Sequence, residues 1–165
     1  MKKNLNRKGF TLIELLAVIV ILAILVTISV PAVTKKLAEA RKSTYLTNAE
    51  RAVEAVRNEV ISNGMKNSGY SAGTTTYSLA DINGLLEKGK FDKSSYGAAY
   101  NTTESKVTVT ISSTGEYQFK IVLCDEKGNG VGVQGSSGVA AVDANNLSED
   151  SVIIGGLTSC IPASQ

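Results

Sequence analysis

The chain contains no histidine and no tryptophan. Without histidine it lacks the commonest general base and the commonest metal ligand near neutral pH. Cysteine occurs twice, which leaves no thiolate cluster for a structural metal. Nothing pairs a nucleophile with a base, and no phosphate-binding loop precedes a helix. The five glycines between Gly128 and Gly138 have neither a following Lys-Ser/Thr nor a strand–loop–helix setting, so they read as a flexible surface loop. A membrane-tethered enzyme therefore has no candidate catalytic residue, and no cofactor or metal is expected.

A basic surface is also missing. The formal net charge is +2, but Lys2, Lys3, Arg7 and Lys8 fall in the first nine residues, which contain no acid. The remainder holds 13 basic and 15 acidic side chains, so the positive sign belongs to the N-terminal end alone. No nucleic-acid footprint is expected on the rest.

What is present is grease in one block. Mean hydropathy is slightly positive although 19% of residues are charged. Every residue from Leu15 to Val26 is apolar, and Phe10 to Val33 is interrupted only by Thr11, Glu14, Thr27, Ser29 and Pro31. As a helix this stretch spans about 36 Å, against about 30 Å of hydrocarbon. Positive charge on the short N-terminal side predicts a cytoplasmic N-terminus and an external C-terminal domain. A secretory signal would be shorter and end in a small-residue cleavage site, and Pro31-Ala32 is a poor one. A plain single-pass anchor explains the length but not Glu14. A carboxylate costs roughly 2.5–3.5 kcal/mol at the centre of a membrane helix and less near its end. It either snorkels to the interface or needs a partner.

The string Arg7-Lys8-Gly9-Phe10-Thr11-Leu12-Ile13-Glu14, followed by Leu15-Leu16-Ala17-Val18-Ile19-Val20-Ile21-Leu22, resembles the class III signal of type IV prepilins and pseudopilins. Pro31 stands where that family commonly has a helix-weakening proline. The resemblance implies that a prepilin peptidase cuts between Gly9 and Phe10 and methylates the new amine of Phe10. Residues 1–9 are then a cleaved leader, and the mature chain keeps its apolar segment. Glycine suits the scissile position because no side chain obstructs an approaching backbone. Glu14 would pair with the Phe10 amine of a neighbouring subunit and set axial register, because an unpaired charge in an apolar bundle is strongly penalised. Implied partners are copies of the chain itself, the peptidase, inner-membrane pilus assembly machinery, and membrane lipid before assembly. The implied location is a single-pass cell membrane protein first and an extracellular pilus afterwards.

Pro31 removes a backbone donor, so a kink or local melting is expected there, with Thr27 and Ser29 partly satisfying freed carbonyls. Beyond it, Leu46, Ala49, Val53, Val56 and Val60 recur at helical spacing, with Val33, Leu37 and Ala40 upstream. Glu39/Lys42 and Glu54/Arg57 are possible i,i+3 pairs. The charges at 35–42 read as a solvated face, with phospholipid head groups as the alternative. Ser62-Asn63-Gly64 reads as a stop. The expectation is a pilin-like α+β fold: an apolar filament-core or transmembrane helix over 10–33, an amphipathic continuation over 34–63, and a globular head over 64–165.

Within the head, residues 64–77 read as a loop and Ser78 to Lys88 as a short helix. Lys106 to Ser112 and Glu116 to Cys124 alternate around Ser113-Thr114-Gly115, the pattern of a hairpin. Further short strands are plausible at Tyr96–Tyr100 and Ser151–Ile154. The sum is a three- or four-stranded antiparallel sheet on the amphipathic half-helix. Cys124 and Cys160, on the outer side of a membrane, favour a disulfide like the one bounding the C-terminal region of many pilins; two free thiols are the alternative. Asp125, Glu126, Asp143, Glu149 and Asp150 match no EF-hand spacing. Asn101-Thr102-Thr103 and Asn146-Leu147-Ser148 fit glycosylation sequons. By size and cysteine pair the resemblance leans to a major pilin serving adhesion, motility or aggregation. A minor pilin, or a pseudopilin of a type II secretion or DNA-uptake system, is the alternative.

Overall fold

The computed structural model describes residues 9–66 and 71–161. The rest of the leader, and part of the expected loop after the first helix, lie outside the described residues. Helix α1 spans Leu12–Lys66. The chain divides into two compact units, Met1–Glu39 and Ala40–Gln165.

In the first unit, every described side chain from Gly9 to Ala38 is exposed, Ile28 by 71%. Helix α1 is long and apolar enough to cross a membrane. The expected melting at Pro31 is absent, for residues 27–31 stay helical. Pro31 deprives the carbonyl of Thr27 of its i+4 donor. The nearby hydroxyls act one turn earlier than expected: Thr27 Oγ1 donates to the Ala23 carbonyl at 2.8 Å and Ser29 Oγ to that of Leu25 at 2.7 Å. Such back-bonding satisfies the hydroxyls inside an apolar helix. Glu39 pairs with Lys36 at 2.8 Å rather than with Lys42. The later pair, Glu54–Arg57, forms at 3.2 Å as expected.

In the second unit, α1 covers a sheet. Ala49, Ala52, Val53 and Val56 are buried, while Leu46 and Val60 lie half-buried at the margin. They join Val107 and Val109 of β2 (Lys106–Ile111) and Phe119, Ile121 and Leu123 of β3 (Tyr117–Cys124) in one core. Gly115, at φ +83°, turns β2 into β3 as the Ser-Thr-Gly signal predicts. The helix runs past the expected stop at Ser62-Asn63-Gly64, and Asn63 Nδ2 donates to Glu59 Oε1 at 2.7 Å, one turn back.

Residues 73–77, expected as loop, form β1 (Gly73–Ser78) together with Ser78, paired antiparallel with β2 from Gly73↔Ile111 to Ser78↔Lys106. Thr74 and Thr76 meet Thr110 and Thr108 across the pair, hydroxyl to hydroxyl at 3.3 and 3.4 Å. β-Branched side chains suit such a half-exposed face. Ser78 then caps α2 (Leu79–Leu85) in a reciprocal box with Asp81.

The sheet is wider than expected. Its order is β1-β2-β3-β4-β8, with β4 Gly130–Val131 and β8 Val152–Ile153, while β7 (Val142–Asp143) also pairs with β3. β5 (Val133–Gly135) and β6 (Gly138–Ala140) form a separate hairpin. The glycine-rich stretch is thus structured rather than a flexible loop. A Cβ at Gly130 would collide with the Leu123 carbonyl, so this glycine permits close strand approach. The strand expected at Tyr96–Tyr100 is reduced to two isolated bridges, Lys93↔Ala99 and Tyr100↔Asp125.

Candidate functional site

Gly9 and Phe10 precede α1 and are exposed; Phe10 is 89% accessible. Among the described residues nothing lies within 4 Å of a Cβ built on Gly9, the expected scissile position. Four residues beyond Phe10, Glu14 already has a partner, one that the reading of the lone acid missed. Its Oε2 accepts from the Thr11 backbone N–H at 2.8 Å and from Thr11 Oγ1 at 2.7 Å, while the Glu14 N–H donates to Thr11 Oγ1 at 3.3 Å. This is a capping box. The signal, Thr-x-x-Glu at the head of an apolar run, was present in the sequence. The cap uses one carboxylate oxygen; Oε1 has no hydrogen bond among the described residues. Glu14 can therefore both close the first turn of its own helix and offer an oxygen to a cation outside it. Pro31 lies about five turns further along, inside the unbroken helix.

At the other end, Cys124 and Cys160 form a disulfide with S–S 2.03 Å and Cα–Cα 6.2 Å, and both are fully buried. Asn101 clamps it from both sides: its N–H donates to the Cys124 carbonyl at 2.8 Å and its Nδ2 to the Cys160 carbonyl at 2.7 Å. Its Oδ1 accepts from the N–H groups of Thr103 and Glu104, both at 2.9 Å. The amide of the first sequon is therefore committed to the fold, whereas Asn146 of the second is exposed on a short 3-10 turn.

Asp125 is the least expected residue of this region. Read from sequence it is one acid among several in a loop; in the fold it is fully buried. Its carboxylate accepts from Ser94 Oγ at 2.6 Å, from the N–H groups of Lys127 and Asn129 at 3.0 Å, and from Asn129 Nδ2. Asn129 passes the network on, receiving the Tyr45 hydroxyl on its carbonyl at 2.9 Å and the Gly155 N–H on Oδ1 at 3.0 Å. Helix α1, the β3–β4 turn and the C-terminal segment thus meet at one buried carboxylate whose oxygens are filled by protein donors. Burial, with Tyr100 and Asp125 nearby, pushes the Tyr45 hydroxyl pKa far above its ordinary value. That phenol stays a donor at any physiological pH. Among the described residues no three of His, Cys, Asp or Glu gather as metal ligands.

No solved structure matches the chain significantly. Residues 4–30 match the family model described as the prokaryotic N-terminal methylation motif, a stretch that contains Gly9, Phe10, Glu14 and most of the apolar run. Taken with the exposed apolar helix that follows and the antiparallel sheet on its later part, the match supports a type IV pilin-like class III signal at the N-terminus of this chain.

Proposed function

We propose that the chain is a structural subunit, the major pilin of a type IV pilus, cut between Gly9 and Phe10 and polymerised through the apolar part of α1. The observation that carries this is the contrast between the exposure of residues 10–33 and their apolar character. Apolar side chains have no hydrophobic reason to leave lipid for one another. Once withdrawn from lipid, however, only copies of the same surface keep them dry. One segment then serves first as anchor and later as filament core.

Glu14 sets the register of that core. Its Oε2 holds the Thr11 cap, and its Oε1 faces the methylated amine of Phe10 in a neighbouring subunit. Replacing Glu14 with Ala in cells that carry the assembly machinery should abolish filaments while leaving cleavage and membrane insertion intact. Wild-type filament yield from that variant rejects the register role. Mass analysis of sheared fibres tests the rest: a mature chain starting at N-methylated Phe10 should form the bulk of the fibre. A trace amount in fibres made of another chain would make it a minor pilin, and its absence from fibres would remove the pilin reading.

A further inference from the structure

The two ends of the sheet are unlike. β8, at one end of the strand order, has two residues, whereas β1, at the other, has six. Natural sheets guard an edge with lysine, proline, a bulge or brevity, because its free N–H and carbonyl groups template further pairing. β1 has none of these guards. Its register with β2 runs without a bulge from Gly73 to Ser78, and residues 71–80 contain no proline and no charged side chain. Residues 73–76 are exposed, and among the described residues no strand pairs with their outer side. Threonine and tyrosine, which fill most of the strand, are good β-formers.

Two contacts fix which backbone groups of this edge are free. The Leu79 N–H donates to the Ser105 carbonyl at 3.1 Å, one step beyond Ser78↔Lys106 in the same register. The Ser112 N–H donates to the Glu116 carbonyl at 2.9 Å, one step beyond Ile111↔Tyr117. Hydrogen-bonded pairs alternate along an antiparallel ladder. The first contact therefore turns the backbone of Gly73, Thr75 and Tyr77 toward β2. The second turns that of Lys106, Thr108 and Thr110 toward β3 and leaves Val107, Val109 and Ile111 for β1, in agreement. Thr74 and Thr76 thus point their N–H and carbonyl groups away from the sheet. Ser78 does the same, but its N–H is taken by Asp81 Oδ2 at 2.8 Å.

We infer that the β1 edge pairs with the β1 edge of a second copy of this chain, antiparallel about a two-fold axis at Thr75. In that register Thr74 faces Thr76 of the second copy, and each such pair exchanges both of its backbone hydrogen bonds. The side chains match as well. Thr74 against Thr76 extends the hydroxyl row already made with Thr110 and Thr108 at 3.3 and 3.4 Å. Half-buried Tyr77 falls opposite Gly73 of the second copy, where nothing stands within 4 Å of a built Cβ. An aromatic ring over an edge glycine is a favourable cross-strand pair. No like charges meet, because the strand carries none. A shift by two residues loses the match of Tyr77 to Gly73. A two-fold pair closes on itself and recruits no third copy, so this contact is separate from any helical repeat and goes beyond the polymer reading above. One pair of short edges is small beside the roughly 1,200 Å² of a standard interface, so the contact is weak and reversible.

Covalent capture under mild oxidation tests this in the detergent-solubilised full chain. Position 75 faces itself across the axis with about 4.5 Å between Cα atoms, within reach of a disulfide. Position 76 is displaced from its own copy by two residues, about 6.8 Å along the strand, and is out of reach. Disulfide-linked dimer should therefore form about tenfold faster from Thr75→Cys than from Thr76→Cys. The native disulfide is buried and does not compete, and association through the apolar helix would favour neither position. Adding Thr76→Pro to Thr75→Cys removes an outward N–H that β2 does not use. Capture should slow about tenfold while the thermal melt stays unchanged. Adding Thr74→Lys with Thr76→Lys sets like charges across the pair and should also slow capture about tenfold, whereas Thr74→Lys with Thr76→Glu sets opposite charges and should keep the rate of Thr75→Cys. That comparison needs no proline and holds even where the proline variant fails to fold. Equal capture from Thr75→Cys and Thr76→Cys overturns the inference, as do equal rates for the two charged variants. Filament yield is not part of the readout, so loss of the polymer reading would leave this result standing.

Discussion

The early and late parts of α1 have the same backbone and opposite surroundings. Up to Val33 the helix is apolar on nearly all sides and exposed; from Tyr45 onward it is amphipathic, with one buried stripe. A helix that is apolar all round needs an apolar environment from outside, whereas an amphipathic one takes it from its own domain. The same substitution should therefore act on assembly in the first part and on folding in the second.

A buried aspartate makes the sharpest form of that comparison. Val56→Asp places an unpaired charge in the core and should cost the head about 3–5 kcal/mol, read as the unfolding midpoint of detergent-solubilised full chain. Val20→Asp should leave that midpoint alone and abolish membrane insertion and filament formation. An equal loss of head stability from both would erase the distinction between the two parts. Next in size is the disulfide. Replacing both Cys124 and Cys160 with Ser should cost about 2–4 kcal/mol. Since both sulfurs are buried, reductant should act on the wild type only as fast as the head opens, followed as a mass gain of two hydrogens. Reduction at the rate of an exposed disulfide would contradict that burial.

Tyr45→Phe should cost about 1 kcal/mol, because it removes the bond from α1 to the Asn129 carbonyl and leaves the ring packing in place. A melt unchanged by it would show that the Asp125–Asn129 network does not need the helix. Ser78→Ala should cost about 1 kcal/mol by removing the α2 cap. Hydrogen bonds from the Ser78 hydroxyl and N–H hold the Asp81 carboxyl below its ordinary pKa of 3.8. A depressed folded-state pKa adds stability above the unfolded value and loses it as the pH falls through the folded one. The loss from Ser78→Ala should therefore shrink as the pH is taken below about 3.8, seen as converging acid melts of the two proteins. Smallest of all, Lys36→Ala breaks an exposed pair in the first unit and should not move head stability measurably.

Long-period patterns were legible from the chain alone. The apolar run, the spacing of Ala49, Val53 and Val56, and the alternation on either side of Ser113-Thr114-Gly115 each repeat a local rule over many residues. What was missed lacked such repetition. β1 looked like loop because three threonines between glycines carry no apolar alternation, and only pairing with β2 makes them a strand. β4 and β8 have two residues each, too short for any period. Tyr45 sits one position before Leu46 of the helical stripe, yet it is Tyr45 that is fully buried. Thr11 is legible as the partner of Glu14, because Thr-x-x-Glu at the head of an apolar run is a local capping pattern.

By itself the sequence determined which stretch favours leaving water: transfer free energy depends on composition, and residues 10–33 are apolar over a length that fits a hydrocarbon core. It also set the processing signal, which is a string of contiguous residues. Tertiary structure alone decided which acid is buried and which glycines are tight. Burial of the Asp125 carboxylate depends on donors from Ser94, Lys127 and Asn129, and the need for glycine at position 130 depends on a strand seven residues away in the chain. Those are properties of what the fold brings alongside a residue, and a desolvated carboxylate is tolerated only where such partners converge.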